Sequence, residues 1–377
     1  MNNKFKIRCY LFLWLSLLLL GLNSYAHPRI HTKSSKNQFV DYKAKAIALD
    51  KAINTNFYIP DSVYYREQAK GQVSEKPVSY LWSLCAMLQA AEQMERLFPK
   101  RRYMDKVYQV IEKYNDPSPP SPGYDSYPSL IKKEDRYYDD NQWIAIAAMD
   151  AYHRDNRPRD LMMGLKIYQF MMTGLDSVSG GGFYWREADY LTKNTCSNGP
   201  AIILLLQLYK VKKQKKFLEK ALEVYHWTIK HLKAPDNLYY DNINVQTGKI
   251  AKQKYSYNTG TMLQANVYLY EITKEQHYLQ EANKIAAAAE SYFLATGKFR
   301  DDYWFNAVLL RGLEHLYRYS HDNHYIKAFA RCTQTALHNN MNNLGLMGRD
   351  KNVNLVGQAG MLEILLRLAW LQQKGDL

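Results

Sequence analysis

Apolar residues recur at helical spacing along most of the chain. The clearest stretches are Ser79–Leu97, Asn141–Tyr152, Ala201–Tyr209, Phe217–Ile229 and Thr261–Ile272, where residues three and four apart share one face. Strand-like alternation is scarce. Clusters of Pro and Gly (Pro117–Gly123, Gly180–Gly182, Lys233–Pro235) fall between the periodic stretches and mark turns. No low-complexity linker divides the chain, so a single domain is expected.

The pattern also repeats. One kind of helix opens near Tyr80, Asn141, Asn198, Asn258, Asn306 and Gln358, at spacings of 61, 57, 60, 48 and 52 residues. Small and apolar residues follow each opening, as in Ile144-Ala145-Ile146-Ala147-Ala148. A more charged helix comes next, as in Lys213–Lys230, Glu275–Tyr292 and Asn323–His338, and Asp41–Asn54 completes the first pair. Six apolar helices, each paired with an amphipathic one, predict an all-α closed ring, an (α/α)6 barrel with an inner and an outer set. An open solenoid is the alternative. Closure is favoured because long polar-aromatic loops precede the inner helices and would converge on one rim.

Composition adds less. Apolar residues make up 47% of the 377, enough for a large core, and there are 32 tyrosines; tyrosine suits sugar faces and ordinary cores alike. Lys4, Lys6 and Arg8 precede an apolar run from Leu11 to Leu22 that ends near Ser24-Tyr25-Ala26. This reads as a signal peptide over residues 1–26, with a mature chain over 27–377 exported to the periplasm or beyond. Losing those three cations takes the net charge from +14 to +11. The remaining positive charge is spread over helices, with no nucleic-acid motif, so neither a nucleic-acid partner nor a membrane is expected. Cys85, Cys196 and Cys332 remain after cleavage, an odd set without the spacing of a disulfide framework or a zinc site.

The rim loops hold the candidate chemistry. Asp139 and Asp140 stand side by side before an inner helix. Two carboxylates can hydrolyse a glycosidic bond, and retaining enzymes hold them about 5–5.5 Å apart. Adjacent Cα atoms lie ~3.8 Å apart, which suits that separation. Mutual repulsion would keep one carboxyl protonated, while a helix N-terminus favours the ionised form. Aspartate before a helix is also a favoured cap, and Asp301-Asp302 occupies the same place in another repeat, so spacing alone does not choose between the pairs. Trp143, Trp185, Tyr257 and Trp304 could stack on sugar rings or plug the core. Asn194, Asn198 and Asn258 could bind sugar hydroxyls or cap helices.

The run Tyr137-Tyr138-Asp139-Asp140-Asn141-Gln142-Trp143 resembles the catalytic signature of family-76 glycoside hydrolases, the endo-α-1,6-mannanase family. The likeness continues in Lys193-Asn194-Thr195-Cys196-Ser197-Asn198-Gly199-Pro200-Ala201 and in Tyr257-Asn258-Thr259-Gly260-Thr261-Met262-Leu263-Gln264-Ala265-Asn266. It then passes through Trp304–Gly312 to Gln358-Ala359-Gly360-Met361, so that the blocks keep their order over roughly Val78 to Trp370. The resemblance implies a six-hairpin barrel and a retaining hydrolase of α-1,6-linked mannose that uses no metal or cofactor. By carry-over, Asp139 would be the nucleophile and Asp140 the general acid/base; Tyr138, Asn141, Trp143, Trp185, Asn194, Asn198, Tyr257, Asn258 and Trp304 are the residues expected around the sugar. A monomer acting on mannan or manno-oligosaccharides is expected. The stretch between Gly345 and Leu355 is shorter and less aromatic than that pattern implies. The rivals are an inert mannan-binding barrel, a hydrolase of another α-linked glycan, a histidine-dependent sugar epimerase and a hydrolase of unsaturated uronides.

Overall fold

The computed structural model describes residues 40–348 and 353–377; the signal-peptide expectation lies outside them. Twelve α-helices alternate along the described chain: α1 (Tyr42–Asn56), α2 (Leu81–Leu97), α3 (Tyr103–Ile111), α4 (Tyr138–Asp155), α5 (Pro158–Met172), α6 (Thr195–Lys212), α7 (Lys215–Leu232), α8 (Ser256–Thr273), α9 (Gln276–Ala289), α10 (Tyr303–Ser320), α11 (His324–Asn340) and α12 (Leu355–Lys374). Each even-numbered helix packs on the next even-numbered one, and α12 returns to α2. The predicted closed (α/α)6 barrel is present, and the open solenoid is not.

Burial separates the two sets. In α6 every residue from Thr195 to Leu208 is buried, and in α8 every residue from Ser256 to Leu269; a helix buried all round belongs inside. In α7 the buried set is Phe217, Ala221, Val224, Tyr225, Trp227, Thr228 and Leu232, a single stripe as expected of an outer helix. Inner helices approach closely where glycine allows it. A Cβ on Gly260 would lie 2.7 Å from the Leu309 Cα, and one on Gly360 would lie 2.3 Å from the Trp304 backbone nitrogen.

The inner helices start earlier than their apolar runs suggest. Asp139 and Asp140 therefore sit in the first turn of α4 instead of preceding it. The reason lies in how the helix starts are satisfied. The residues flanking the starts of α2, α4, α6, α8 and α10 make no side-chain cap. The first N–H groups instead donate to the loop of the next repeat. Leu81 donates to the Ser126 carbonyl (2.9 Å), Tyr138 to Trp185 (3.0 Å), Thr195 to Asp241 (2.8 Å) and Leu355 to Glu67 (2.9 Å). For α8 the acceptor is a side chain, Oδ2 of Asp301, 2.6 Å from the Ser256 nitrogen. Orphan donors at a helix N-terminus need such partners, and here they come from far along the chain.

A second device fastens the same loops. The Asn141 carboxamide accepts from the Tyr124 N–H (2.8 Å) and donates to its carbonyl (3.0 Å). Asn198 does the same to Phe183 (2.7 and 3.0 Å), and Gln358 to Met347 (2.6 and 2.7 Å). Short antiparallel pairs, absent from the sequence reading, brace the loops: β1 (Tyr58–Ile59) with β2 (Tyr64–Tyr65), and β3 (Asn115–Asp116) with β4 (Gly123–Tyr124). A third sheet joins β5 (Thr192–Asn194), β6 (Asn242–Asn244) and β7 (Ile250–Ala251). Among the described residues no helix is long and apolar enough to cross a membrane.

Candidate active site

The loops converge at the N-terminal ends of the inner helices, where, beside a separate cavity lined by Asp301, Asp302 and Gln358, they form a cleft. It encloses about 640 Å³, and Asp139 and Asp140 line it together with Trp185, Asn194 and Tyr257. Asp139 is 4% exposed and Asp140 6%, so both carboxyls lie at the floor.

Their surroundings differ. Trp185 Nε1 donates to Asp139 Oδ2 at 3.2 Å. The Cys196 thiol and the N–H groups of the first turn add to this, and all favour the ionised form. Burial nevertheless dominates and raises the Asp139 pKa from 3.8 to about 6. Asp140 has no comparable donors. Burial, and then the charge of Asp139, push its pKa well up. The contest between helix terminus and burial is thus won by burial at both residues, and the hydrogen bonds decide which of the two ionises first.

Several elements hold this geometry. The Trp185 backbone lies against the start of α4, and its N–H donates to the Thr192 carbonyl at 3.1 Å. Buried Lys193 donates to Asp176 (2.6 Å) and to the carbonyls of Val178 (2.8 Å) and Gly181 (2.7 Å), tying down the glycine loop that precedes Trp185. Gly182, at φ +81°, leaves no room for a Cβ against the Trp227 ring. On the other side Arg136 grips Glu187 with two bonds of 2.6 Å and reaches the Ser121 carbonyl at 3.0 Å.

The remaining candidates divide. Tyr138 is buried behind the cleft against Phe170, its hydroxyl 3.2 Å from Thr173 Oγ1. Trp143 is fully buried and packs edge-on against Trp304, which packs in turn on Trp82. Trp304 borders a neighbouring cavity. Asn141 and Asn198 spend their carboxamides on loop backbone, so neither reaches the cleft wall. Asn258 is buried beside Asp241. Asp301 caps α8 and, with Asp302, lies outside the cleft.

The cleft also has walls that the sequence did not single out, among them Trp82, Asp241, Asn242 and Phe305, and Tyr137 and Tyr255 of the rim loops line it too. Asp241 follows Tyr239-Tyr240 and holds the place that Ser126 and Trp185 hold in earlier repeats, its carbonyl taking the first N–H of an inner helix; that repeat position is the signal that could have found it. Burial raises its pKa. Among the described residues no group of three or more His, Cys, Asp or Glu side chains is placed to hold a metal ion.

Comparison with known proteins agrees with this architecture. The model of glycosyl hydrolase family 76 matches residues 42–305. A mannan endo-1,6-α-mannosidase of Saccharomyces cerevisiae is 26% identical over 171 residues, 41% of this chain and 38% of the yeast protein. The chain thus matches well under half the length of that relative. A family 76 mannosidase from Bacteroides thetaiotaomicron superposes with a TM-score of 0.80 at 24% identity, covering 89% of this chain and 100% of the other. An inactive α-1,6-mannanase variant from Salegentibacter, with two consecutive aspartates changed to asparagine and α-1,6-mannotriose bound, superposes with a TM-score of 0.73 at 22% identity, over 88% and 100% of the two chains. With its family model matched over most of the chain and its barrel complete, this protein belongs to glycosyl hydrolase family 76.

Proposed function

We propose that the protein is a retaining glycoside hydrolase that cleaves α-1,6-mannosidic bonds in mannan backbones, with Asp139 as nucleophile and Asp140 as general acid/base. The observation that carries the reading is the unequal treatment of two adjacent buried aspartates at the floor of an aromatic cleft. Asp139 is hydrogen-bonded by Trp185 and has a pKa of about 6, so it is mostly ionised at neutral pH and able to attack the anomeric carbon. Asp140, pushed well up, keeps its proton for the leaving oxygen. Once the leaving sugar departs, Asp140 is a carboxylate beside a glycosyl ester, ready to take a proton from the water that releases the product.

The relatives support the substrate: the yeast protein is a mannan endo-1,6-α-mannosidase, and the Salegentibacter variant holds α-1,6-mannotriose. In the same reading residues 1–26 are a signal peptide, residues 27–377 form one catalytic domain, and the enzyme works outside the inner membrane as a monomer. Trp185, Asn194 and Tyr257, which line the cleft, contact the sugar.

Incubation with linear α-1,6-mannan and chromatography of the products tests the reading. The wild type releases manno-oligosaccharides whose anomeric configuration, followed by proton NMR, is retained. Asp139→Asn and Asp140→Asn abolish release with an unchanged circular-dichroism spectrum, whereas Asp301→Asn costs far less. No release by wild type, or product of inverted configuration, refutes the substrate or the mechanism respectively.

A further inference from the structure

Beside the catalytic cleft, on the same rim, lies a larger cavity of about 700 Å³. It is lined from the starts of α10 and α12 and the end of α11. Two half-buried rings, Trp82 and Phe305, line both spaces and form the partition between them. The partition is braced: Phe305 packs on Tyr257 with ring centroids 4.1 Å apart, and Trp82 packs edge-on against Trp304 at 4.2 Å. A ligand in the cavity and one in the cleft would touch the same two side chains.

Several polar side chains around the cavity are already engaged. Asp301 accepts from the Ser256 N–H, Gln358 fastens Met347, Asn354 caps α12, and Asn340 donates to the Tyr303 hydroxyl at 2.8 Å. Others are left over, and they are solvent-accessible. The exposed Asp302 carboxylate makes no cap and has no hydrogen-bond or ion-pair partner among the described residues. The exposed Asn339 carboxamide has none either. Tyr303, whose oxygen accepts from Asn340, keeps its own hydroxyl hydrogen to donate.

These groups stand beside the rings of Phe299, Tyr303 and Phe305. Acceptors and donors next to aromatic faces suit a ligand with hydroxyls along its edge and C–H groups on its face. A sugar has both. Charge narrows the class: Lys298 is the single cation of the lining, against Asp301 and Asp302, so the wall repels phosphate and uronate and takes a neutral sugar. The stretch leading into α12 adds Met347, Gly348, Val356 and Gly357, with no ring among them. With its rings gathered on the α10 side, the space is a broad bay instead of a slot clasped on both faces.

We propose that the bay takes a neutral mannosyl branch of the backbone held in the cleft, so that the enzyme cuts branched mannan. This rests on the mannanase reading above and adds to it the form of the substrate. The cleft alone, at about 640 Å³, has the volume of a site for a ligand of several rings, such pockets spanning roughly 300–1,000 Å³. A second compartment of similar size across a shared wall is surplus to a bare backbone. An arm that leaves the backbone near Asp139 and Asp140 and crosses Trp82 and Phe305 fills it.

Cleavage of a branched α-mannan, and of the same polymer after its branches are removed, tests this when followed as new reducing ends. Wild type cleaves both. Asp302→Ala lowers kcat/KM on the branched polymer about tenfold, the worth of one hydrogen bond to a charged group, and leaves the debranched polymer unchanged. Asn339→Trp, which puts an indole into the bay, has the same selectivity and at least the same size of effect. Three results overturn the branch assignment while the mannanase reading stands: wild type that cleaves only the debranched polymer, variants that leave branched cleavage untouched, or variants that slow both polymers alike. Failure of wild type on both polymers overturns the mannanase reading itself, and the branch with it.

Discussion

Trp185→Phe isolates one hydrogen bond in the cleft. The wild-type indole donates to Asp139 Oδ2 at 3.2 Å, and phenylalanine keeps an aromatic face while removing the donor. Hydrogen bonds to charged groups contribute about 1.5–3 kcal/mol, and this one is long, so the lower figure applies. Divided by 1.36 kcal/mol per pH unit, it raises the Asp139 pKa by about one unit. Starting from about 6, the carboxyl would then titrate near ~7. The acid limb of kcat/KM moves up by that unit: activity falls about twofold at pH 7 and about tenfold at pH 5, while the alkaline limb, set by Asp140, stays in place. The assay is the pH profile of reducing-sugar release from α-1,6-mannan. An unmoved acid limb with a uniformly lower rate would show that Trp185 only packs or binds sugar, and that the donor does not set which aspartate ionises.

Further outcomes concern stability. Because folding raises the Asp139 pKa from 3.8 to about 6, the native state holds that proton longer than the unfolded chain. Stability is therefore lost as pH rises from about 4 to about 6, and Asp139→Asn should be more stable than wild type at pH 7 by up to roughly 3 kcal/mol, the gap closing at pH 4 in urea melts. Asn198→Ala strands the buried N–H and C=O of Phe183 and should cost about 2–3 kcal/mol in the same melts, with a fall in kcat as the loop carrying Trp185 loosens. Gly260→Ala forces a methyl into the Leu309 backbone; expect a loss of about 3 kcal/mol or failure to fold, read by thermal unfolding.

Helix count, ring closure and the location of the cleft were legible in the sequence because each rests on short-range pattern: apolar periodicity, small residues at inner-helix contacts, and polar loops in the same place in every repeat. Helix starts were not, because Leu81, Tyr138 and Thr195 are capped by carbonyls from the next repeat and their flanking residues make no side-chain cap; among the inner helices only at α12 does a local residue, Asn354, cap the start. The same blindness affected the asparagines. Asn141 and Asn198 lie at equivalent repeat positions for a reason, but it is loop fastening, which a one-dimensional reading cannot tell from sugar binding. Asp301 equals Asp139 on spacing alone, and only the family resemblance separates them in the sequence; in the structure the Asp301 carboxylate accepts from the Ser256 N–H.

The belt of donor–acceptor handovers around the rim has an engineering consequence. Since Leu355 hands on to Glu67, the belt joins the last inner helix to the first loop, and a loop is obliged to present only its acceptor and, where an Asn or Gln fastens it, one further backbone pair at a set height. Residues between those anchor points are free to lengthen, shorten or change character. Grafting foreign tips between retained anchors should therefore re-shape what the pit accepts while the scaffold melts at its usual temperature, whereas moving an anchor by a single residue should unfasten two neighbours at once.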